Sequence, residues 1–241
     1  MSAQSEPSQV QHIVWDWNGT ILDDNDAVVA AVNVVCEAFG RAPVDLDTWR
    51  ATYSRPLRHC YERLLDRDLD EDDWARVDRL YHEAYRDLLP SCALATGVPE
   101  ALDSWRGPHA VPVVTSEGGQ PPATGRSQSL LSMWFHDELV PLVSEYGLDR
   151  LFARVDGLRS EIGGGSKAVH LDKHLGELGV DPGETVLIGD VLDDAHAAEH
   201  VGARCILLTT GVMNRSALET SGFPVVDSVP EALARIHDEP A

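Results

Sequence analysis

From residue 96 onward, short apolar runs alternate with amphipathic ones, and this alternation constrains the fold more than any other feature of the chain. Strand-like runs at 129–131, 154–157, 185–189, 205–209 and 225–227 are separated by helical runs. Two of those helices, 167–178 and 194–201, end at Gly179 and Gly202, where a left-handed stop is expected. The last helix has Ser228 as a candidate N-cap and Glu231 three residues later, a capping-box pattern. Strand–helix–strand alternation implies parallel strands with helices on both faces. An earlier apolar run, 13–15, leads into Asp16 and Gly19. It reads as one more buried strand of the same sheet, ending at a loop.

Residues 24–95 break the alternation. Apolar side chains recur there every three or four positions, as in Trp74, Val77, Leu80, Tyr81, Ala84 and Leu88. That period belongs to amphipathic helices, and no strand is expected within the stretch. The chain therefore divides into an α/β core, 1–23 with 96–241, and an all-helical insert at 24–95. In a doubly wound parallel sheet, ligands bind beyond the carboxyl ends of the strands. Asp16, Ser132 and Asp190 each end a strand-like run and are expected to converge there.

Composition narrows the partners. The 241-residue chain carries a formal net charge of −21, which repels polyanions, so nucleic acid is not an expected partner. No apolar run approaches the roughly 20 residues of a membrane helix. The polar start MSAQSEPSQVQ has neither the basic nor the apolar region of a signal peptide, and a cytoplasmic location follows as the expectation. Cys36, Cys60, Cys92 and Cys205 are far apart, which indicates neither a zinc site nor a disulfide framework. The cations are almost all Arg, so the two lysines, Lys167 and Lys173, stand out.

The motifs now carry a resemblance. Asp16-Trp17-Asn18-Gly19-Thr20 after the first strand, and Gly189-Asp190-Val191-Leu192-Asp193-Asp194 after the apolar 185–188, resemble the first and fourth motifs of the haloacid dehalogenase-like (HAD) superfamily. Lys167 lies 23 residues before Asp190, which matches the lysine of the third motif, whereas Lys173 falls within the following helix. For the hydroxyl of the second motif there are two candidates, Thr115 and Ser132. Ser132 lies 15 residues before the Gly147-Leu148 segment and Thr115 lies 32 before it, and only the shorter distance suits a single strand-to-helix step.

The resemblance implies a Rossmann-like core with an inserted C1-type cap, similar to phosphoglycolate phosphatases. It implies Asp16 as a nucleophile forming an aspartyl-phosphate and Mg²⁺ held by Asp16, Asp190, Asp194 and the backbone carbonyl of Asn18. Lys167 offsets charge, and Thr20, Ser132 and the Met133 N–H at a helix start bind phosphate. The substrate is a small phosphorylated metabolite, and the protein a monomer or homodimer. Arg55 and Arg58, either side of Pro56 in the insert, are candidates for gripping substrate or are ordinary solvated arginines. Residues 107–125, rich in Gly and Pro, form an insertion read as a surface hairpin or loop, with a flap near the site or a contact between subunits as the alternative.

One position departs from the pattern. Asn18 stands where the family has a second Asp that exchanges a proton with the leaving group, and a carboxamide cannot do this. Two other readings stay open: a dehalogenase- or phosphonatase-type hydrolase, and a catalytically weak binding or regulatory protein on the same fold.

Overall fold

The computed structural model describes residues 9–106, 125–159 and 165–238. The stretch 107–124, with the alternative hydroxyl Thr115, and the run 160–164 ahead of Lys167 lie outside the described residues.

Strand β1 (His12–Trp15) is followed by the two-residue β2 (Leu22–Asp23) and then by four helices: α1 (Asn25–Ala38), α2 (Leu46–Thr52), α3 (Leu57–Leu65) and α4 (Glu71–Leu88). A short β3 (Ala93–Leu94) pairs antiparallel with β2. It lies within the stretch expected to be wholly helical, and two residues are too few to leave a periodic signature. The chain continues through α5 (Val98–Arg106), β4 (Ser127–Phe135), α6 (His136–Glu145), β5 (Val155–Leu158), α7 (Lys167–Leu178) and β6 (Thr185–Gly189). It ends with α8 (Leu192–Val201), β7 (Arg204–Leu208), α9 (Arg215–Leu218), β8 (Val225–Val226) and α10 (Val229–Asp238).

Among the described residues, six strands form one parallel sheet in the order β5-β4-β1-β6-β7-β8. Successive side chains of a strand face opposite ways, and here both faces are dry. Ile13 and Trp15 of β1, Val186 and Ile188 of β6, and Ile206 and Leu208 of β7 pack into one core, with buried residues of α1, α5, α6 and α10. Val14, Leu187, Cys205 and Leu207 face the other way, against Ala168, Leu171 and Leu175 of α7 and Ala195 and Ala198 of α8. Burial on both faces explains why the sequence shows continuous apolar runs and not alternation.

The chain departs from β1 toward β4 on one side and β6 on the other, so the strand order reverses at β1. The crevice at such a reversal is where ligands sit in open α/β sheets. Helix α7 ends at Gly179 and α8 at Gly202, both at positive φ (64° and 79°). The start of α10 differs slightly from the expected capping box. Ser228 Oγ accepts from the Glu231 N–H at 3.3 Å, but the Glu231 carboxylate accepts from the Asp227 N–H, at 2.8 Å.

Candidate active site

Asp16 is the first residue past β1 and Asp190 the first past β6, neighbouring strands whose ends are in register. Asp194 sits in the first turn of α8, where the helix dipole favours an acid. The helix begins at Leu192, two residues before the expected start, which turns Asp194 back toward the sheet. Lys167 opens α7 behind the N-cap Ser166, whose hydroxyl accepts from the Ala168 N–H. The lysine Nζ lies 2.5 Å from Asp16 Oδ1 and 2.5 Å from Asp194 Oδ1. Carboxylate oxygens of Asp16, Asp190 and Asp194 come within 4.8 Å of one another. Backbone donors fix the outer pair: Val212 N–H to Asp190 Oδ2 at 3.1 Å, and Val191 N–H to Asp194 Oδ2 at 3.2 Å.

Glycines make this convergence possible. A Cβ on Gly19, which holds φ +69°, would lie 2.7 Å from Asp190 Oδ2. A Cβ on Gly211 would overlap the Asp190 carboxylate, and one on Gly189 the Asp194 carboxylate.

Three buried carboxylates face one ammonium. Burial pushes the Asp16 carboxyl up to about 7, with Lys167 pulling it down and Asp194 pushing it further up. Asp190 is raised well above the usual carboxylate range by burial and then by Asp16 and Asp194. For Lys167, burial disfavours the charged form, but Asp16 and Asp194 outweigh it and hold the ammonium above its ordinary value. The cluster thus has surplus negative charge and only oxygen donors, which fits a hard divalent cation.

Asn18 lines the cleft beside Asp16 and Asp190. Its Nδ2 donates to Tyr85 Oη at 2.7 Å and to Asp24 Oδ2 at 3.1 Å, and its Oδ1 accepts from Ser132 Oγ at 3.3 Å. Ser132 and Met133 also line the cleft. Contrary to expectation, Met133 does not stand at a helix start. Strand β4 runs on to Phe135, with its pairing to β5 shifted between Leu131 and Phe135. Such an irregularity re-aims side chains at a strand end. Thr20 is fully buried with no partner for its hydroxyl among the described residues, and it is absent from the cleft lining. The structure therefore does not bring Thr20 to a bound phosphate.

The two arginines part company. Arg55 reaches the cleft and pairs with Asp193 at 2.9 Å. Arg58 is turned away: it pairs with Glu71 at 2.6 Å and Glu62 at 3.7 Å and donates to the Leu69 carbonyl at 2.5 Å. Its local carboxylates satisfy it on the outer side of the insert, so the expectation of a substrate contact is corrected.

Several site residues carried no sequence signal. Asp24 is buried, whereas its neighbour Asp23 is exposed. Asp24 accepts from the Gly19 N–H at 2.8 Å and from the Tyr85 hydroxyl. Burial raises its carboxyl, against the pull of the Tyr85 and Asn18 hydrogen bonds. Arg50 of α2 donates to the Gly211 carbonyl at 2.9 and 2.7 Å and to the Thr209 carbonyl at 3.2 Å. These contacts cross about 160 residues of chain, beyond the reach of local pattern.

The model of the haloacid dehalogenase-like hydrolases matches residues 13–122, and that of the HAD-hydrolase-like family matches 164–232. The chain is 26% identical to the phosphoglycolate phosphatase of Synechococcus elongatus over 215 residues, 87% of this chain and 88% of that one. It is 24% identical to phosphoglycolate phosphatase 1 of Pseudomonas aeruginosa over 230 residues, 92% of this chain and 78% of that one. Among solved structures it superposes on a haloacid dehalogenase-like hydrolase from Streptococcus pneumoniae with a TM-score of 0.75 at 16% identity, covering 94% and 98% of the two chains.

Proposed function

Since the chain belongs to the haloacid dehalogenase-like hydrolases and is a hydrolase of phosphoric monoesters, we propose that it is a magnesium-dependent phosphatase of a small metabolite, working through an aspartyl-phosphate on Asp16. The observation that carries this reading is the buried meeting of Lys167 with Asp16 and Asp194 beside Asp190.

Asp16 Oδ attacks phosphorus as the ester oxygen departs. Water then cleaves the acyl phosphate and restores the carboxylate. Lys167 neutralises part of the charge of nucleophile and phosphoryl group, and its two ion pairs keep it oriented before substrate arrives. Ser132 Oγ, now donating to Asn18, turns to a phosphoryl oxygen. Asp16, Asp190 and Asp194, with the Asn18 carbonyl, would hold Mg²⁺, which supplies positive charge to the phosphoryl oxygens. Helices α1 to α4 act as the cap, closing over the cleft and excluding water. Asn18 cannot protonate the leaving oxygen. General acid–base help, worth roughly 10²–10⁴-fold, is therefore not available from that side chain, and the enzyme is expected to be slow.

Two measurements test the reading. Asp16→Asn is expected to abolish release of phosphate from alkyl phosphates. Magnesium at a hundred times its dissociation constant is expected to stabilise the wild-type fold by about 2.7 kcal/mol and Asp190→Asn not at all. Full activity in Asp16→Asn, or in wild type stripped with EDTA, overturns it.

A further inference from the structure

The cleft has two ends of different chemistry. One holds the carboxylates and Lys167; the other is roofed by the helical insert. The volume is about 230 Å³. Away from the carboxylates its walls are aromatic: Trp49, Tyr53, Tyr61, Trp74, Tyr81 and Trp134. These rings brace one another. Trp49 contacts Tyr53 and Tyr61 at centroid distances of 5.7 Å each, and Tyr61 contacts Trp74 at 6.1 Å. Tyr81 stacks on Tyr85 at 5.7 Å with planes 8° apart.

Resting on the phosphatase reading above, we infer that the alcohol half of the substrate carries a single aromatic ring and no carboxylate near the phosphoryl group. Size bounds the ring. An apolar cavity of about 150 Å³ is enough for benzene, so this cleft holds one ring with a phosphoryl group beside it. Clefts that hold drug-sized ligands measure roughly 300–1,000 Å³, so this one suits a smaller ligand.

Charge excludes the substrate named for the relatives. Phosphoglycolate brings a carboxylate as well as a phosphoryl group, and the carboxylate needs a cation of its own. Among the described residues lining the cleft, Lys167 is held by Asp16 and Asp194, and Arg55 by Asp193 at 2.9 Å. The insert side adds Asp24 and Asp78, further negative charge. His82 pairs with Asp78 at 3.3 Å. A carboxylate in that wall would be desolvated among rings and acids without a partner. An aromatic ring would instead meet ring faces and edges at stacking distance.

The test compares kcat/KM of the wild-type protein with Mg²⁺ for benzyl phosphate, ethyl phosphate and 2-phosphoglycolate. All three release alkyl alcohols, so leaving-group acidity does not decide the ranking. Burial of the ring is expected to favour benzyl phosphate by about a hundredfold over either of the others. Equal or higher kcat/KM for 2-phosphoglycolate or ethyl phosphate overturns the inference and leaves the phosphatase reading standing. If no ester is turned over beyond the level of Asp16→Asn, the phosphatase reading falls. The pocket is then judged by quenching of tryptophan fluorescence. Benzylphosphonate binding at least tenfold tighter than methylphosphonate upholds the aromatic site, and equal binding overturns it.

Discussion

In the proposed reaction, Asn18 is the residue on which the rate turns. Its amide is tied to Asp24 and Tyr85, and its carbonyl oxygen meets the Ser132 hydroxyl. Replacing it with Asp removes one of the three donors that Asp24 accepts from and sets two carboxyl groups in contact. Like charges that close cannot both ionise, so one keeps a proton at neutral pH. Asn18→Asp thus places a proton-bearing acid in the cleft beside Asp16, the proposed nucleophile. Turnover of an alkyl phosphate is expected to rise at least tenfold, toward the roughly 10²–10⁴ of general acid–base catalysis, and kcat is expected to acquire an alkaline limb, falling as pH rises and that acid loses its proton. Steady-state kinetics across pH checks it. A fall in kcat with an unchanged pH profile would show that position 18 does not face the leaving group.

At the scale of elements, the loop after β7 joins the site to the helical insert. Arg50 of α2 grips its Thr209 and Gly211 carbonyls, and Asn25 of α1 donates to the Thr210 carbonyl at 2.6 Å. The Thr210 hydroxyl donates to the Gly19 carbonyl at 2.6 Å, and the Val212 N–H holds Asp190. Hydrogen bonds from a charged donor contribute about 1.5–3 kcal/mol, so Arg50→Ala is expected to loosen the insert and raise KM about tenfold, with a smaller change in kcat. Arg50→Lys is expected to recover less than half of the loss, because a point charge does not reproduce the guanidinium fork. Unchanged KM in both variants would sink this role. None of this junction was legible in the sequence, whose local periods report only neighbours. The long parallel strands were legible, because burial on both faces leaves apolar runs bounded by glycine and acid. The meeting of Asp16, Asp190 and Asp194 was legible through motifs that resemble the family's, and that of Lys167 through its distance from Asp190 in the same pattern. The outward turn of Arg58 was not, since its carboxylate partners Glu62 and Glu71 carry no sign of direction.

For the whole molecule, acid stability depends on a buried polar chain that links β1, β4, α7 and β5. His12 of β1 bonds Ser127 Oγ at 2.7 Å and Ser129 Oγ at 2.8 Å, both on β4. Ser129 bonds His174 of α7 at 2.8 Å, and His174 bonds Asp156 of β5 at 2.7 Å. Burial, and then the nearby His174, press the His12 pKa down to about 3. The folded imidazole stays neutral while the unfolded one, near 6.5, takes up a proton. Its contribution is complete above pH 6.5 and is lost as pH falls toward 3. At pH 5.5 the loss relative to neutral pH is about 1.4 kcal/mol. Other groups act in the opposite direction. Asp16 and Asp190 are raised by folding, so without a cation they favour the folded state as pH falls, and acid also relieves the self-repulsion of a −21 chain. A melting curve of wild type alone would mix these signs. The difference between wild type and His12→Gln cancels them. That difference is expected to shrink by about 1.4 kcal/mol between pH 7.5 and 5.5, read as a convergence in Tm of roughly 3–6 °C. A gap independent of pH would mean that His12 is not held neutral in the folded protein.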